Sequence, residues 1–339
     1  MSRLRHILTR AWIRRGLLAW ALRPISLCFE GLVTCRLWLY RQGALQPQPL
    51  KVPVIVIGNV MVGGVGKTPV VIALVQHLQE RGICVGVLSR GYGRVSRDLR
   101  EVHPTSRAED AGDEPLLISR ACGVPVWVGA NRIEAGKSLL EHYPKTQVLV
   151  CDDGLQHLPL ARDIELCVFD ERGIGNGWML PAGPLREPWP RAANSSIDRF
   201  ELSSASSPIS GRFQILRELA DFAVRADGTR RPFPMGFANP VQALAGIAKP
   251  QVFFSMLQDL GLTLTHTQAM PDHANLHGVS IDASLGELLC TEKDAVKLWA
   301  DHPGVWAVPL ITTLPAELLE ALDACLDRRL SSHHGLKIT

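Results

Sequence analysis

The clearest chemistry lies in the run VIVIGNVMVGGVGKTPVVIALVQHL. Gly63, Gly64 and Gly66 precede Lys67 and Thr68, between a β-branched apolar run and a segment of helical periodicity. Glycines let successive backbone N–H groups converge on an anion, and a helix N-terminus adds partial positive charge. With Val65 they form a cradle for nucleotide phosphates. Lys67 is the cation for the β- and γ-phosphates, and Thr68 offers a hydroxyl to Mg²⁺. Pro69 falls in the first helical turn, where its missing N–H is harmless. The usual spacing G-x-x-x-x-G-K-[ST] places glycine where Met61 stands. The bare alternative is a glycine-rich turn without a ligand; the flanking strand and helix favour the phosphate loop.

Carboxylates and imidazoles follow at telling places. QVLVCDDGLQH ends an apolar strand in Asp152 and Asp153, where a carboxylate reaches Mg²⁺ across from a phosphate loop. A D-D-G turn without metal is the alternative. His157 comes within a turn. Asp113 and Glu114 open a helix in AGDEPLLI, where acids ordinarily serve as caps. Asp272 and His273 in AMPDHAN set a carboxylate beside an imidazole, a pair able to accept a hydroxyl proton. Ser89, Arg90 and Arg94 of SRGYGR sit at a strand end, where α/β folds bind ligands, and the arginines suit phosphate. GNGWMLPAGPLREP is dense in glycine and proline and carries Arg186 and Glu187. TEKD (Thr291–Asp294) fits a capping box and has no separate chemical role.

Strands and helices must hold these residues together. Val52–Ile57, Ile83–Leu88, Val124–Val128, Gln147–Cys151 and Ile164–Phe169 read as strands, alternating with helices at Thr68–Arg81 and Ile133–His142. Alternation of this kind predicts a mostly parallel sheet with helices on both faces. The pattern breaks in the proline-rich stretch 181–190 and the serine-rich stretch 195–210. Phe213–Leu216 and Asp221–Val224 read as a short strand pair. A second α/β unit starts near Val241, with strands at Ala243–Ile247 and Val305–Leu310 and helices at Gln251–Leu260 and Ala316–Leu330. The expected organisation is a basic segment 1–45, a phosphate-loop core 46–192, a stranded connection 193–240, a smaller α/β domain 241–332 and a tail 333–339.

Composition narrows the class. Of 339 residues, 46% are hydrophobic and 20% charged, which suits a folded globular chain. The net charge of +3 does not point to nucleic acid. Its distribution is uneven: residues 1–50 hold eight arginines and one acid, a local +7, so the rest of the chain carries −4. Leu4, Ile7, Leu8, Leu18 and Leu22, with Trp12, Trp20, Trp38 and Tyr40, accompany Arg3, Arg10 and Arg14. That mixture predicts an amphipathic helix lying on anionic lipid. The longest uncharged run there, Gly16–Leu22, is short of the roughly 20 residues of a spanning helix. The alternative is a helix packed on the protein's own core. The eight cysteines form no C-x-x-C pair, and several lie in apolar runs, as buried thiols of a reducing compartment do.

Taken in order, GNVMVGGVGKTP, SRGYGR, GDEP, DDGLQH, GNGWMLPAGPLREP, PDH and TEKD resemble one family over nearly the whole chain: tetraacyldisaccharide 4′-kinase, the lipid A 4′-kinase of Gram-negative bacteria. The resemblance implies two α/β/α domains with a cleft between them, the first like a P-loop NTPase. It implies monotopic attachment to the cytoplasmic face of the inner membrane. The implied reaction moves the γ-phosphate of ATP, with Mg²⁺, to the 4′-hydroxyl of tetraacyldisaccharide 1-phosphate, giving lipid IVA. By motif position, Asp113 resembles the catalytic base and His273 its assistant, with Asp153 orienting that histidine. Asp152, Thr68 and Glu187 resemble metal-side residues. Arg186 and Glu187 resemble residues that close on nucleotide. Ser89, Arg90, Arg94 and His157 fall to the acceptor. PDHAN lacks the second adjacent histidine often seen in the family. The competing class is a membrane-associated P-loop ATPase of the ParA/MinD type, but the signature lysine before its glycines is Val62 here.

Overall fold

The computed structural model of the chain describes residues 11–192, 194–204, 213–237 and 240–335. A helix α1 (Leu17–Arg41) comes first. Then follow β1 (Val54–Gly58), α2 (Lys67–Glu80), β2 (Val85–Ser89), β3 (Arg100–Val102), α3 (Ala108–Ala111), α4 (Asp113–Cys122), β4 (Val126–Val128), α5 (Arg132–His142), β5 (Val148–Asp152) and β6 (Ile164–Phe169). Beyond them lie β7 (Asp198–Ser204), β8 (Phe213–Leu219), β9 (Phe222–Val224), β10 (Arg230–Pro232), β11 (Val241–Ala245), α6 (Pro250–Asp259), β12 (Leu264–Ala269) and β13 (Leu288–Thr291). The chain closes with α7 (Glu292–Leu298), β14 (Trp306–Val308), β15 (Leu310–Thr313) and α8 (Ala316–Gly335).

Two sheets result. The larger has nine strands in the order β15-β8-β7-β6-β1-β5-β2-β4-β3. Only its outer pairs, β3 with β4 and β8 with β15, are antiparallel. The smaller has six, β10-β9-β14-β13-β11-β12, with β9 antiparallel to both neighbours. Strands β1, β2, β5 and β6 are buried at every position, because helices cover both faces. Ile55 and Ile57 face a core built with α2, α4 and α8, whereas Val54 and Val56 face the other core, with Ile133 and Leu139 of α5. Helix α2 sends Val70, Val71, Leu74, Val75 and Leu78 into the first core. It stops where Gly82 takes a left-handed φ of 75°, and the Gly82 and Ile83 N–H groups close back on Gln79 and Leu78.

Three readings change. Within the expected connection 193–240, β7 pairs in parallel with β6 from Asp198 to Ser203, and β8 pairs with β7. Phe200 and Leu202 alternate into the first core, a period-2 signal masked by the serines around it. The Phe213–Leu216 and Asp221–Val224 strands do not pair with each other; β9 joins the second sheet instead. Residues 205–212 of the serine-rich stretch lie outside the described residues. The C-terminal elements return to the first unit: β15 pairs with β8, and Leu318, Leu322 and Leu326 of α8 enter the first core. The helix runs through Gly335, into the expected tail; residues 336–339 lie outside the described residues.

The N-terminal segment forms one continuous helix of 25 residues through Pro24. Its most apolar window has mean hydropathy 1.3 and is 11% buried, so by length and composition it is long enough to cross a bilayer. Leu17 and Leu32 are 92% and 72% exposed. Phe29 and Val33 pack on the second core, and Ser26 Oγ donates to the Met179 carbonyl at 2.8 Å. Residues 1–10, with Arg3, Leu4, Ile7, Leu8 and Arg10, lie outside the described residues.

Candidate active site

The phosphate loop joins β1 to α2. Gly63 and Gly66 take φ values of 105° and 72°, which side chains resist. Two guanidinium groups hold the loop from outside. Arg172 Nη2 donates to the Gly64 carbonyl at 3.0 Å, and Arg217 Nη2 to the Val65 and Gly66 carbonyls at 2.9 and 3.1 Å. A Cβ on Gly66 would lie 2.8 Å from the Arg217 guanidinium carbon. Thr68, in the first turn of α2, is buried. Met61, standing where the usual pattern has glycine, is buried in the second core beside Leu185, with which it forms an isolated bridge. The segment Pro184–Arg186 straps this start of the loop: Val62 N donates to Pro184 O, and Arg186 N to Val60 O.

Two carboxylates meet the loop at the end of β5. Asp153 takes a left-handed φ of 49° and turns its carboxylate to Lys67 Nζ at 3.5 Å and Arg186 Nη1 at 3.3 Å. Burial works against its charge, but Lys67 and Arg186 hold its pKa below the usual carboxylate value. Arg186 also donates to Gln156 Oε1 at 3.0 Å and Asn59 Oδ1 at 3.1 Å. Asp152 is 1% exposed, and its Oδ1 has no hydrogen-bond partner among the described residues. Burial, then the nearby Glu114 charge, push its pKa up to about 7. Ser89 Oγ, at the end of β2, stands 3.5 Å from its other oxygen. Each Glu187 oxygen accepts one hydrogen bond: Gln156 Nε2 donates to Oε1 at 2.7 Å, and Arg191 Nε to Oε2 at 3.0 Å.

A second cluster spans the two units. Asp113, first residue of α4 and 6% exposed, accepts from the Glu114 N–H at 3.0 Å. His273 Nδ1 lies 3.0 Å from its Oδ2. Burial pushes Asp113 up, but the His273 hydrogen bond and the Lys293 and Lys297 charges keep its pKa low. The carboxylate on His273 is therefore Asp113; Asp153, expected to orient this ring, faces Lys67 instead. Glu114 links the clusters, since its charge acts on Asp152 while its Oε1 lies 3.2 Å from Lys293 Nζ.

The residues expected on the acceptor side divide. Arg94 folds beneath its own loop, its side chain 4% exposed, with Asp98 at 3.8 Å. His157 Nε2 is buried without a partner, and burial with the charges of Arg132, Arg162, Arg36 and Arg90 pushes its pKa down to about 4. Arg36 comes from α1, Arg90 from the SRGYGR loop and Arg132 from the start of α5, so three separate elements direct positive charge at one imidazole.

The comparisons follow this geometry. The family described as Tetraacyldisaccharide-1-P 4'-kinase matches residues 18–327. Tetraacyldisaccharide 4'-kinase of Acidovorax ebreus (strain TPSY) is 52% identical over 337 residues, covering 98% of each chain. The Polaromonas naphthalenivorans (strain CJ2) protein of the same name is 48% identical over 344 residues, covering 99% of this chain and 100% of its own. The chain belongs to the tetraacyldisaccharide 4′-kinase family. A solved structure of LpxK from Aquifex aeolicus in complex with ATP superposes with a TM-score of 0.76 at 28% identity, covering 93% of this chain and 100% of its own. This membership sets aside the ParA/MinD-type ATPase.

For a 4′-kinase of this family, four side chains now in the site carried no legible signal. Asn59 and Gln156 lie inside motifs but only bridge Arg186. Arg132 opens an ordinary helix. Arg191 follows a proline run and holds Glu187. Lys293 and Lys297, four residues apart in and after TEKD, did carry a signal: two cations on one helix face.

Asp152 yields a test of site strain. Its folded pKa lies above the unfolded value, so the folded state holds the extra proton between pH 4 and 7 and loses stability as pH rises through about 7. Asp152→Asn removes that burial penalty. The nucleotide-free variant is expected to melt several degrees above the native protein at pH 8, with the gap narrowing toward pH 5. Thermal unfolding across that range checks it; an equal gap at both pH values refutes the assignment.

Proposed function

We propose that the protein transfers the γ-phosphate of ATP to the 4′-hydroxyl of tetraacylated glucosamine disaccharide 1-phosphate at the cytoplasmic face of the inner membrane. The observation that supports this reading is a continuous run of charged contacts from the phosphate loop, through Asp152, Glu114 and Lys293, to the buried Asp113–His273 pair. The loop amides and Lys67 hold the β- and γ-phosphates. Asp113 accepts the proton of the attacking hydroxyl, with His273 donating to its other side and holding it in place. Arg186 and Lys67 keep Asp153 ionised and are themselves fixed by it.

Mg²⁺, when bound, neutralises charge on the phosphates. Thr68 and Asp152 would hold it, and the unpartnered Asp152 Oδ1 in a dry site fits a cation. Glu187, the other residue expected on the metal side, holds Gln156, which holds Arg186, and each of its oxygens keeps a lone pair beyond the bond it accepts. The acceptor's 1-phosphate lies against Arg132, Arg90 and Arg36 near His157, where a dianion relieves the repulsion among the arginines. Arg132 is 5% exposed, with Nε unpartnered, which suits a buried anion contact. The exposed apolar residues of α1 enter the bilayer, and its arginines meet anionic headgroups.

Three measurements test this reading. Label from γ-³²P-ATP should appear in detergent-solubilised disaccharide 1-phosphate lipid and vanish in Lys67→Ala; Asp113→Ala should lower kcat roughly 10²–10⁴-fold with little change in KM for ATP. Hydrolysis of ATP without labelled lipid would refute the acceptor. Arg132→Ala should raise KM for the lipid about tenfold or more and leave KM for ATP alone; a rise in both would place Arg132 elsewhere. Replacing the exposed Leu17, Ile25 and Leu32 by serine should release the protein from anionic vesicles in sedimentation, and undiminished binding would point to another anchor.

A further inference from the structure

Lys293 and Lys297 have no part in the reaction as described. They leave α7 four residues apart, so both ammonium groups project from one face toward α4. Lys293 Nζ lies 3.2 Å from each of Glu114 Oε1, Asp272 Oδ1 and His273 Nε2. It lies 3.8 Å from Asp113 Oδ2. Lys297 Nζ is drawn mainly to Asp294 at 3.1 Å and the Ala274 carbonyl at 3.2 Å, with Asp113 at 3.9 Å. His273 itself takes a left-handed φ of 60°, which a residue with a side chain keeps only where its surroundings impose it. The Tyr92 ring meets its edge at 4.9 Å.

We propose that Lys293 is a positioning residue that fixes the tautomer and the neutral charge of His273: by donating to Nε2 it confines the ring's one proton to Nδ1, where it is donated to Asp113. This rests on the reading of Asp113 as the base. An N···N contact of 3.2 Å needs a lone pair on one side. The ammonium does not supply it. Burial disfavours its charge, but the carboxylates of Glu114, Asp113 and Asp272 together hold its pKa well above the ordinary lysine value. The lone pair is therefore the imidazole's.

The charges around His273 pull in opposite directions. Burial disfavours an imidazolium, Asp113 favours one more strongly, and Lys293 opposes it, with the balance of these lying upward. The contact geometry decides against that balance, because an imidazolium would set two N–H donors head to head at 3.2 Å. Removing Lys293 would leave Asp272, 3.7 Å from Nε2, to draw a second proton onto the ring. An imidazolium would then cancel the Asp113 charge and weaken it as a proton acceptor. Lys293 prevents this while its charge acts most on Glu114 and next on Asp113, which it helps to keep ionised. Being on α7 and reaching α4, it also makes the state of the pair depend on contact between the two units.

The experiment uses the full chain in detergent with ¹³C-labelled histidine. The His273 resonance, assigned by its loss in His273→Asn, is titrated alongside the pH profile of kcat. In native protein the ring should read as neutral, protonated on Nδ1, at pH 7. In Lys293→Met it should titrate about one pH unit higher or more, and the acid limb of kcat should move up with it. The variant's kcat at pH 7 should fall roughly tenfold, with KM for ATP within about twofold. Lys293→Arg, which still donates, should restore the native limb. Lys293→Met combined with Glu114→Gln relieves the uncovered carboxylates and should keep the shift. An imidazolium in the native protein at pH 7, or an unmoved resonance and acid limb in Lys293→Met, overturns the proposal. The resonance is read without turnover. A fully active Asp113→Ala beside a shifted His273 would therefore sink the base and leave the positioning role standing.

Discussion

Buried carboxylates must be matched by cations brought from other elements, and this constraint organises the residues around the phosphate loop. A carboxylate stripped of water and left alone takes a proton instead of keeping its charge. Here Asp153 meets Lys67 from α2 and Arg186 from a distant loop. Glu187 meets Arg191, and Glu165 on β6 meets Arg162, Arg191 and Arg199. Asp113 and Glu114 meet Lys293 from the second unit. Asp152 is the exception: it has no salt bridge among the described residues. The one uncompensated acid beside a phosphate loop is where a divalent cation has the most to gain.

The same constraint explains why one irregular segment is so rich in glycine and proline. GNGWMLPAGPLREP touches three parts of the molecule at once. Its Trp178 ring meets Trp20 edge-on at 4.8 Å and lies under Arg15 and Arg23 at 4.9 and 5.0 Å. Trp12 Nε1 donates to the Pro181 carbonyl at 2.9 Å. Its far end straps the phosphate loop at Val60 and Val62 and delivers Arg186. The N-terminal helix is thus tied to the phosphate loop through this one segment.

Legibility followed the range of the interaction. The phosphate loop was legible because its determinants are contiguous: strand, glycines, Lys67, Thr68, helix. Short β-branched apolar runs such as VIVI (54–57), bounded by glycine and proline, read as covered strands. Strand β7 was not legible, because its alternation of Phe200 and Leu202 is embedded in serines and confirmed only by pairing with β6. Met61 looked like a defect in the phosphate loop, yet it is a core residue, and no local pattern separates these.

By itself the sequence determined the local chemistry: which backbone cradles phosphate, which acids end strands, which segment is basic and apolar. Those properties depend on neighbours in the chain. Only the tertiary structure decided partnerships. Asp113 rather than Asp153 holds His273, Glu187 holds Gln156 and Arg191, β15 and α8 return to the first unit, and Lys293 reaches across to Asp113 and His273. Pairing between residues 160 or 179 positions apart is settled by the three-dimensional meeting of charges and apolar faces. Sequence spacing carries no record of that meeting.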